Sequence, residues 1–270
     1  MYNEFYGFRE SPFNITPDPR FLFFSEHHRE AYNYLLYGIT QRKGFIQITG
    51  EVGAGKTTLC RALLEELGPT FKTALILNPI MTSEQLLWAI RHELGLEPRS
   101  RDRLEALEEL NRHLLDQFAA GNDVVLLIDE AQDLTRELME QVRLLSNLET
   151  DQRKLLQIVL LGQPELRDML DDKSLRQLRQ RITVRYHIRP LTPEDTVYYI
   201  RHRLDVAGAN SRPTFTRAAV RRIYRYSGGV PRLINAVCDK TLLSGYVAGD
   251  ERLTWRHVRR AIRELEGHPA

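Results

Sequence analysis

The chain has 270 residues, 42% of them hydrophobic and 27% charged, with a formal net charge of +2 and two cysteines. Such a composition suits a globular chain able to bury one or two cores, and it excludes a disulfide framework and a low-complexity chain. Apolar runs such as residues 124–128 and 158–161 fall far short of the roughly 20 residues a membrane-crossing helix needs, and residues 1–20 lack the pattern of a secretory leader. Charge is unevenly spread. From Arg181 onward there are 17 Lys/Arg against 8 Asp/Glu, a net +9, which leaves about −7 for the rest. The split predicts a boundary near Pro190 and a basic final module able to meet phosphate groups or an acidic neighbour, though basic helices are also common as solvated faces.

Residues 1–20 carry three prolines and five aromatic residues without a helical period, so they read as an irregular arm pinned by Phe5, Phe8 and Phe13. Ser25 then caps a helix over residues 26–40. Arm and helix form a first segment, 1–44, expected to pack on the ligand site that follows. Residues 45–49 are β-prone and residues 59–67 are helix-forming. Between them lies Gly50-Glu51-Val52-Gly53-Ala54-Gly55-Lys56-Thr57-Thr58, a full GxxxxGK[ST] phosphate loop in its required strand–helix setting. The glycines let backbone N–H groups converge on one anion at a helix start. Lys56 is expected at the β- and γ-phosphates of a nucleoside triphosphate and the Thr57 hydroxyl on Mg²⁺.

Residues 73–78 read as a second strand, and residues 83–94 and 104–118 as amphipathic helices separated by a polar break at 97–102. Residues 123–129 are a continuous apolar run that closes on Asp129-Glu130. In parallel sheets, ligands gather at the carboxyl ends of strands. Asp129 is therefore expected on Mg²⁺ with Thr57, and Glu130 as the base that polarises an attacking water. A helix over 134–148 and a strand over 155–161 follow, ending at Gln163, a candidate to orient that water. Arg176, Arg179 and Arg181 precede a last strand at 184–188. Arg181, then Arg179, is expected to reach a neighbouring subunit's γ-phosphate. Strands alternating with helices over 45–190 predict a parallel α/β sheet. Residues 191–270 predict a small all-helical domain with helices near 193–206, 216–226, 230–244 and 254–265. Arg232, in the first turn after Pro231, is a cation at a helix start, where only an anion such as phosphate repays it. Cys60 and Cys238 read as buried thiols.

Taken together, GEVGAGKTT, VVLLIDEAQ, IVLLGQPEL, LRQLRQRI and GGVPRLIN resemble, in order, the Walker A, Walker B, sensor 1, arginine-finger and sensor 2 motifs of AAA+ ATPases. The opening 39 residues and the stretch from DEAQ to LLSNLET resemble the ExeA/GspA family more narrowly, and the likeness covers essentially the whole chain. It implies an AAA+ P-loop core with a helical lid, ATP and Mg²⁺ as ligands, and hydrolysis in a homo-oligomeric, hexamer-like ring. Gln163 would be sensor 1, Arg179 or Arg181 the finger, and Arg232 sensor 2. The family implies service to bacterial secretion, pilus, exopolysaccharide or exosortase systems, with a cytoplasmic or peripheral inner-membrane location and inner-membrane assembly proteins as partners. Its members continue into a transmembrane helix and a peptidoglycan-binding region, so envelope attachment is expected from a partner or from residues outside these 270. Transposition ATPases of the TniB type share the core and act on DNA. Binding of DNA through the basic lid arginines is thus the alternative expectation.

Overall fold

Five apolar runs become the strands of one parallel sheet. They are β1 (Phe45–Gly50), β2 (Phe71–Ile76), β3 (Asp123–Ile128), β4 (Leu156–Gly162) and β5 (Ile182–Ile188), in the spatial order β2-β3-β4-β1-β5. Every neighbouring pair is parallel, with Ile48 opposite Leu161 and Ile128 opposite Leu160. β1 and β4 are buried along their whole length. Burial on both faces favours apolar residues at successive positions, most plainly in β3 with residues 124–128, while β1 and β4 also bury the polar Gln47, Thr49 and Gln157. The computed structural model describes residues 1–97, 102–150, 153–209 and 212–268, so most of the polar break expected at 97–102 lies outside the described residues.

The chain divides into two compact units. The first comprises residues 29–50 and 59–188, and the second residues 1–28, 51–58 and 189–270. The first unit holds the sheet and most of the helices between its strands. In chain order the helices up to β5 are α1 (Tyr2–Tyr6), which lies in the second unit, and α2 (Glu26–Thr40), α3 (Lys56–Leu67), α4 (Ser83–Glu93), α5 (Arg103–Ala119), α6 (Arg136–Leu145), α7 (Pro164–Leu170) and α8 (Arg176–Arg181). Local chemistry sets their starts. Thr82 and Gln85 form a reciprocal capping box on α4, Asp102 caps α5, and Thr135 caps α6. Leu86, Leu110, Leu126, Met139, Ile158 and Leu166 lie in one buried apolar cluster within this unit.

The second unit adds α9 (Pro193–Val206), α10 (Arg217–Ser227), α11 (Pro231–Ala248) and α12 (Trp255–Leu265). Thr192 with Asp195 boxes the start of α9, with Pro193 at its first position, and glycines 228 and 249 end α10 and α11 in left-handed conformations. This unit is not purely helical as the sequence suggests. β6 (Thr214–Phe215) pairs in parallel with β7 (Arg252–Leu253), a two-residue ladder too short to leave a periodic signal. The N-terminal arm also belongs here. Tyr6, Phe8, Phe13 and Phe21 join Leu191, Tyr199, Ile223, Ile234 and Leu242 in its core. Phe5, expected as a pin, is 38% exposed, and its neighbour Tyr6 takes that place, because residues 2–6 form a short helix that turns Tyr6 inward.

A buried cation staples the arm down. Arg203 on α9 donates to the Pro12 carbonyl at 2.5 Å, the Asn14 carbonyl at 3.0 Å and the Tyr199 hydroxyl at 3.1 Å. Its guanidinium lies 4.6 Å from the Phe21 ring centre, so carbonyl dipoles and a π face stand in for a carboxylate. Replacing Arg203 with Met should cost about 2–4 kcal/mol in urea unfolding and open residues 1–20 to limited proteolysis. An unchanged cleavage pattern would show that the arm is held by its aromatic residues alone.

Candidate functional site

The phosphate loop leaves the carboxyl end of β1 and enters α3 at Lys56. Two of its glycines turn it, Gly53 at φ +76° and Gly55 at φ +92°, conformations that side chains with a Cβ resist. The Glu51 carbonyl accepts from the Ala54 N–H at 3.0 Å and from Lys56 Nζ at 3.1 Å, so the lysine side chain folds back over its own loop. Lys56 is 5% exposed and Thr57 half-buried. The start of α11 comes to this loop within the same unit. The Arg232 N–H donates to the Gly53 carbonyl at 3.2 Å, and a Cβ placed on Gly53 would lie 2.3 Å from the Arg232 Cβ. The sequence places a phosphate-seeking arginine at Arg232, and the structure sets its backbone against the loop with the side chain exposed.

His28 supports the loop from α2, a residue that sequence reasoning missed. It is 3% exposed, with Nε2 at 2.9 Å from the Ala54 carbonyl and Nδ1 at 2.7 Å from Ser25 Oγ. A carbonyl only accepts, so Nε2 carries the proton and Nδ1 accepts from the serine hydroxyl, which fits a neutral ring. Burial pushes the imidazole below its ordinary range, against the upward pull of the Ala54 carbonyl. Ser25 does cap α2 as expected, receiving the His28 N–H at 3.4 Å. The available signal was that capping serine, which puts His28 at the third helical position. Nothing local shows that its ring meets the loop.

In the sheet unit, β3 runs directly into the carboxylates. The Asp129 N–H donates to the Ile76 carbonyl at 2.8 Å, which leaves Asp129 buried at the end of the β2–β3 ladder. Glu130 turns out of line with φ +48°, a strained value for a residue with a Cβ, and its N–H donates to Asp129 Oδ1 at 2.9 Å. Its carboxylate meets two amides. Gln132 Nε2 donates to Glu130 Oε2 at 2.8 Å and Gln163 Nε2 donates to the same oxygen at 3.1 Å. Gln132 also accepts the Gln163 backbone N–H on Oε1 at 3.0 Å. Glu130 and Gln163, 33 residues apart in sequence, are thus brought together as expected from their strand ends, and Gln132 joins them unforeseen.

The two finger candidates separate. Arg181 is half-buried and donates through Nη1 to Ser146 Oγ at 2.7 Å, inside its own unit. Arg179 is exposed, 3.3 Å from Asp171, and lines a surface depression of ≈ 350 Å³ with Arg176, Lys173 and Arg185. Cys60 and Cys238 are buried, and burial raises both thiols, so neither is a nucleophile.

A family model described as an AAA domain matches residues 39–170. General secretion pathway protein A of Aeromonas hydrophila is 48% identical over 269 residues, 99% of this chain and 49% of that protein. The chain therefore spans about half the length of that relative. Among solved structures, the ORC2 protein of Aeropyrum pernix superposes with a TM-score of 0.72 at 17% identity, covering 97% of this chain and 73% of its own. Drosophila ORC bound to DNA gives 0.70 at 21% identity over 94% and 64%. At such identities these two likenesses establish the fold alone.

The buried neutral histidine gives a pH signature. An unfolded histidine takes up its proton near pH 6.5 and folded His28 only below that, so the unfolded state binds more protons and stability falls as pH drops through that range. The fall of unfolding free energy between pH 7 and pH 5, from urea titrations, should be shallower in His28→Gln than in the wild type. Equal slopes would mean that His28 does not titrate differently on folding. Gly53→Ala forces a Cβ onto Arg232 and should abolish binding of a fluorescent ATP analogue while the far-UV circular dichroism stays native. Retained binding would show that the loop accommodates the methyl.

Proposed function

The chain belongs to the ExeA/GspA branch of the AAA+ superfamily, and from that membership we propose that it binds ATP with Mg²⁺ and hydrolyses it as an oligomer serving a bacterial export or envelope-assembly system. The observation that carries the hydrolytic reading is Glu130, half-buried at the end of β3 with its carboxylate held by Gln132 and Gln163. A carboxylate fixed at that strand end is what activation of water requires. In the sheet, β3, which leads into Asp129 and Glu130, is separated only by β4 from β1, which leads into the phosphate loop.

In this reading the N–H groups of Gly50–Thr58 and Lys56 hold the triphosphate, Glu130 takes the proton of the attacking water, Gln163 orients it and Arg232 senses the γ-phosphate from the lid. Thr57 and Asp129 offer the oxygen donors that Mg²⁺ prefers, and because that ion keeps water and phosphate ligands it needs few from the protein. Bound there, the ion would neutralise phosphate charge. Arg179, being exposed, is better placed than Arg181 to reach a neighbouring subunit's nucleotide.

Similarity to General secretion pathway protein A over 99% of the chain supports a secretion role over a DNA-directed one. Partners would then be other copies of this chain and envelope-assembly proteins, reached from the cytoplasmic side. No described helix is long and apolar enough to cross a membrane. Glu130→Gln should lower ATP turnover at least about 100-fold while nucleotide affinity stays within about threefold. Near-normal turnover would remove Glu130 from the mechanism. Arg179→Ala should also be slow. Mixing it with Glu130→Gln subunits should partly restore activity, because one interface in the mixture carries both intact groups. No recovery at any ratio would mean that Arg179 does not act between subunits.

A further inference from the structure

Helix α12 has two faces of opposite character. Val258 and Ala261 are buried, and Val258 and Ile262 pack into the apolar core of the second unit with Val220 and Ile223 of α10. The other face carries Arg256, Arg259, Arg260 and Arg263, at spacings of three and four that align them along one side of a helix. All four are exposed, as is Trp255 at 42%. With Trp255 they line an open depression of ≈ 520 Å³, and the Arg256 guanidinium lies 5.8 Å from the centre of the indole. Like charges three and four positions apart repel one another, and the acids that commonly interleave a solvated face are scarce here. Of the four, only Arg260 has a carboxylate in reach among the described residues, Glu264 at 3.5 Å on the same helix. The packed neighbour α10 adds exposed Arg217, Arg221 and Arg225, four positions apart, and holds no acidic residue.

Resting on the envelope-directed reading above for the choice of partner, we infer that the arginine face of α12 is an interaction surface for the phosphate headgroups of an anionic phospholipid layer. Guanidinium groups that lack carboxylates along one helix side call for a surface of repeated anionic groups, because a single small anion would leave most of them unpaired. Their planar forks match phosphate oxygens two at a time. An exposed indole among the cations does nothing for solubility. It suits the headgroup level of a bilayer, where Trp is enriched and arginine stems lie along the apolar boundary. One aromatic ring is too few for a single-stranded nucleic acid, whose successive bases stack on a series of rings. The chain's total of +2 hides this polarity, since its basic excess is gathered from Arg181 onward. Attraction to an acidic leaflet fades within a Debye length, so it acts through such a local face and not through the net charge.

Co-sedimentation of the full chain with lipid vesicles tests the assignment. The chain should bind phosphatidylcholine vesicles containing about a third phosphatidylglycerol, ignore pure phosphatidylcholine, and be released as salt rises from about 0.1 M to about 0.5 M. Arg259→Gln with Arg263→Gln should weaken binding at least about tenfold, while Arg259→Lys with Arg263→Lys holds it within about threefold. Arg29→Gln with Arg112→Gln, which removes two exposed arginines of the sheet unit, should leave binding unchanged. All six changes are at exposed positions, and far-UV circular dichroism checks that each variant is folded. The chain has two tryptophans, so in a Trp88→Phe background the emission is that of Trp255. It should shift to shorter wavelength on the anionic vesicles alone. Binding that does not distinguish the two vesicle types, or that the Arg29 and Arg112 changes weaken as much as the Arg259 and Arg263 changes, would overturn the lipid surface and leave the envelope-directed reading standing. Duplex DNA bound through Arg259 and Arg263 by a chain that ignores anionic vesicles would overturn both.

Discussion

Much of the second unit is organised around the backbone of eight residues, 51–58, held in one turn by contacts from distant parts of the chain. That turn is costly by itself, with Gly53 and Gly55 at positive φ and a buried lysine folded over it, so neighbours must hold it. His28 carries the Ala54 carbonyl from one side, and the Arg232 N–H carries the Gly53 carbonyl from another. Both supports come from segments far from the loop in sequence, one before it and one nearly 180 residues after. Glycine is required at position 53 for two reasons at once, the sign of φ and the 2.3 Å approach of the Arg232 Cβ. The N-terminal arm and the helical lid are thereby joined to the loop as one compact unit rather than appended to it.

The sheet unit solves a different problem, the aiming of a carboxylate. Apolar strands that are buried on both faces end abruptly in polar residues, and those ends are where side chains can project without burying a charge inside the core. Asp129 stays buried by extending the ladder to Ile76, while Glu130 leaves it by adopting a strained turn. The strain is compensated by hydrogen bonds from Gln132 and Gln163, each of which costs little because its amide is neutral. In the hydrolytic reading proposed above, stability and chemistry are set by the same few contacts at this corner of the sheet.

Much of this was legible in the chain. The helix at Glu26–Thr40 and the strand ends at Gly50, Ile128 and Gly162 follow from capping residues, apolar runs and the phosphate-loop spacing, all of which act over a few residues. What escaped acts over long separations. Tyr6 rather than Phe5 fills the core because a five-residue helix sets its direction, and no periodicity survives over so short a span. The β6–β7 pair is two residues long. Arg181 and Arg179 look equivalent in LRQLRQRI, but one turns to Ser146 and the other to solvent, which only the packing of α8 decides. His28 and Gln132 carry ordinary local signals, a helix first turn and the residue after DEA. Their partners lie 26 and 31 residues away, beyond any window a motif can see.

The most direct measurement is phosphate release from Mg²⁺–ATP by the purified wild-type chain over a wide range of protein concentration at saturating nucleotide. Sites completed by an arginine from a neighbouring copy require turnover per subunit that is low when dilute and rises to a plateau as subunits associate. Phosphate release no faster than buffer at every concentration would contradict the assignment of hydrolysis to this loop and its carboxylates.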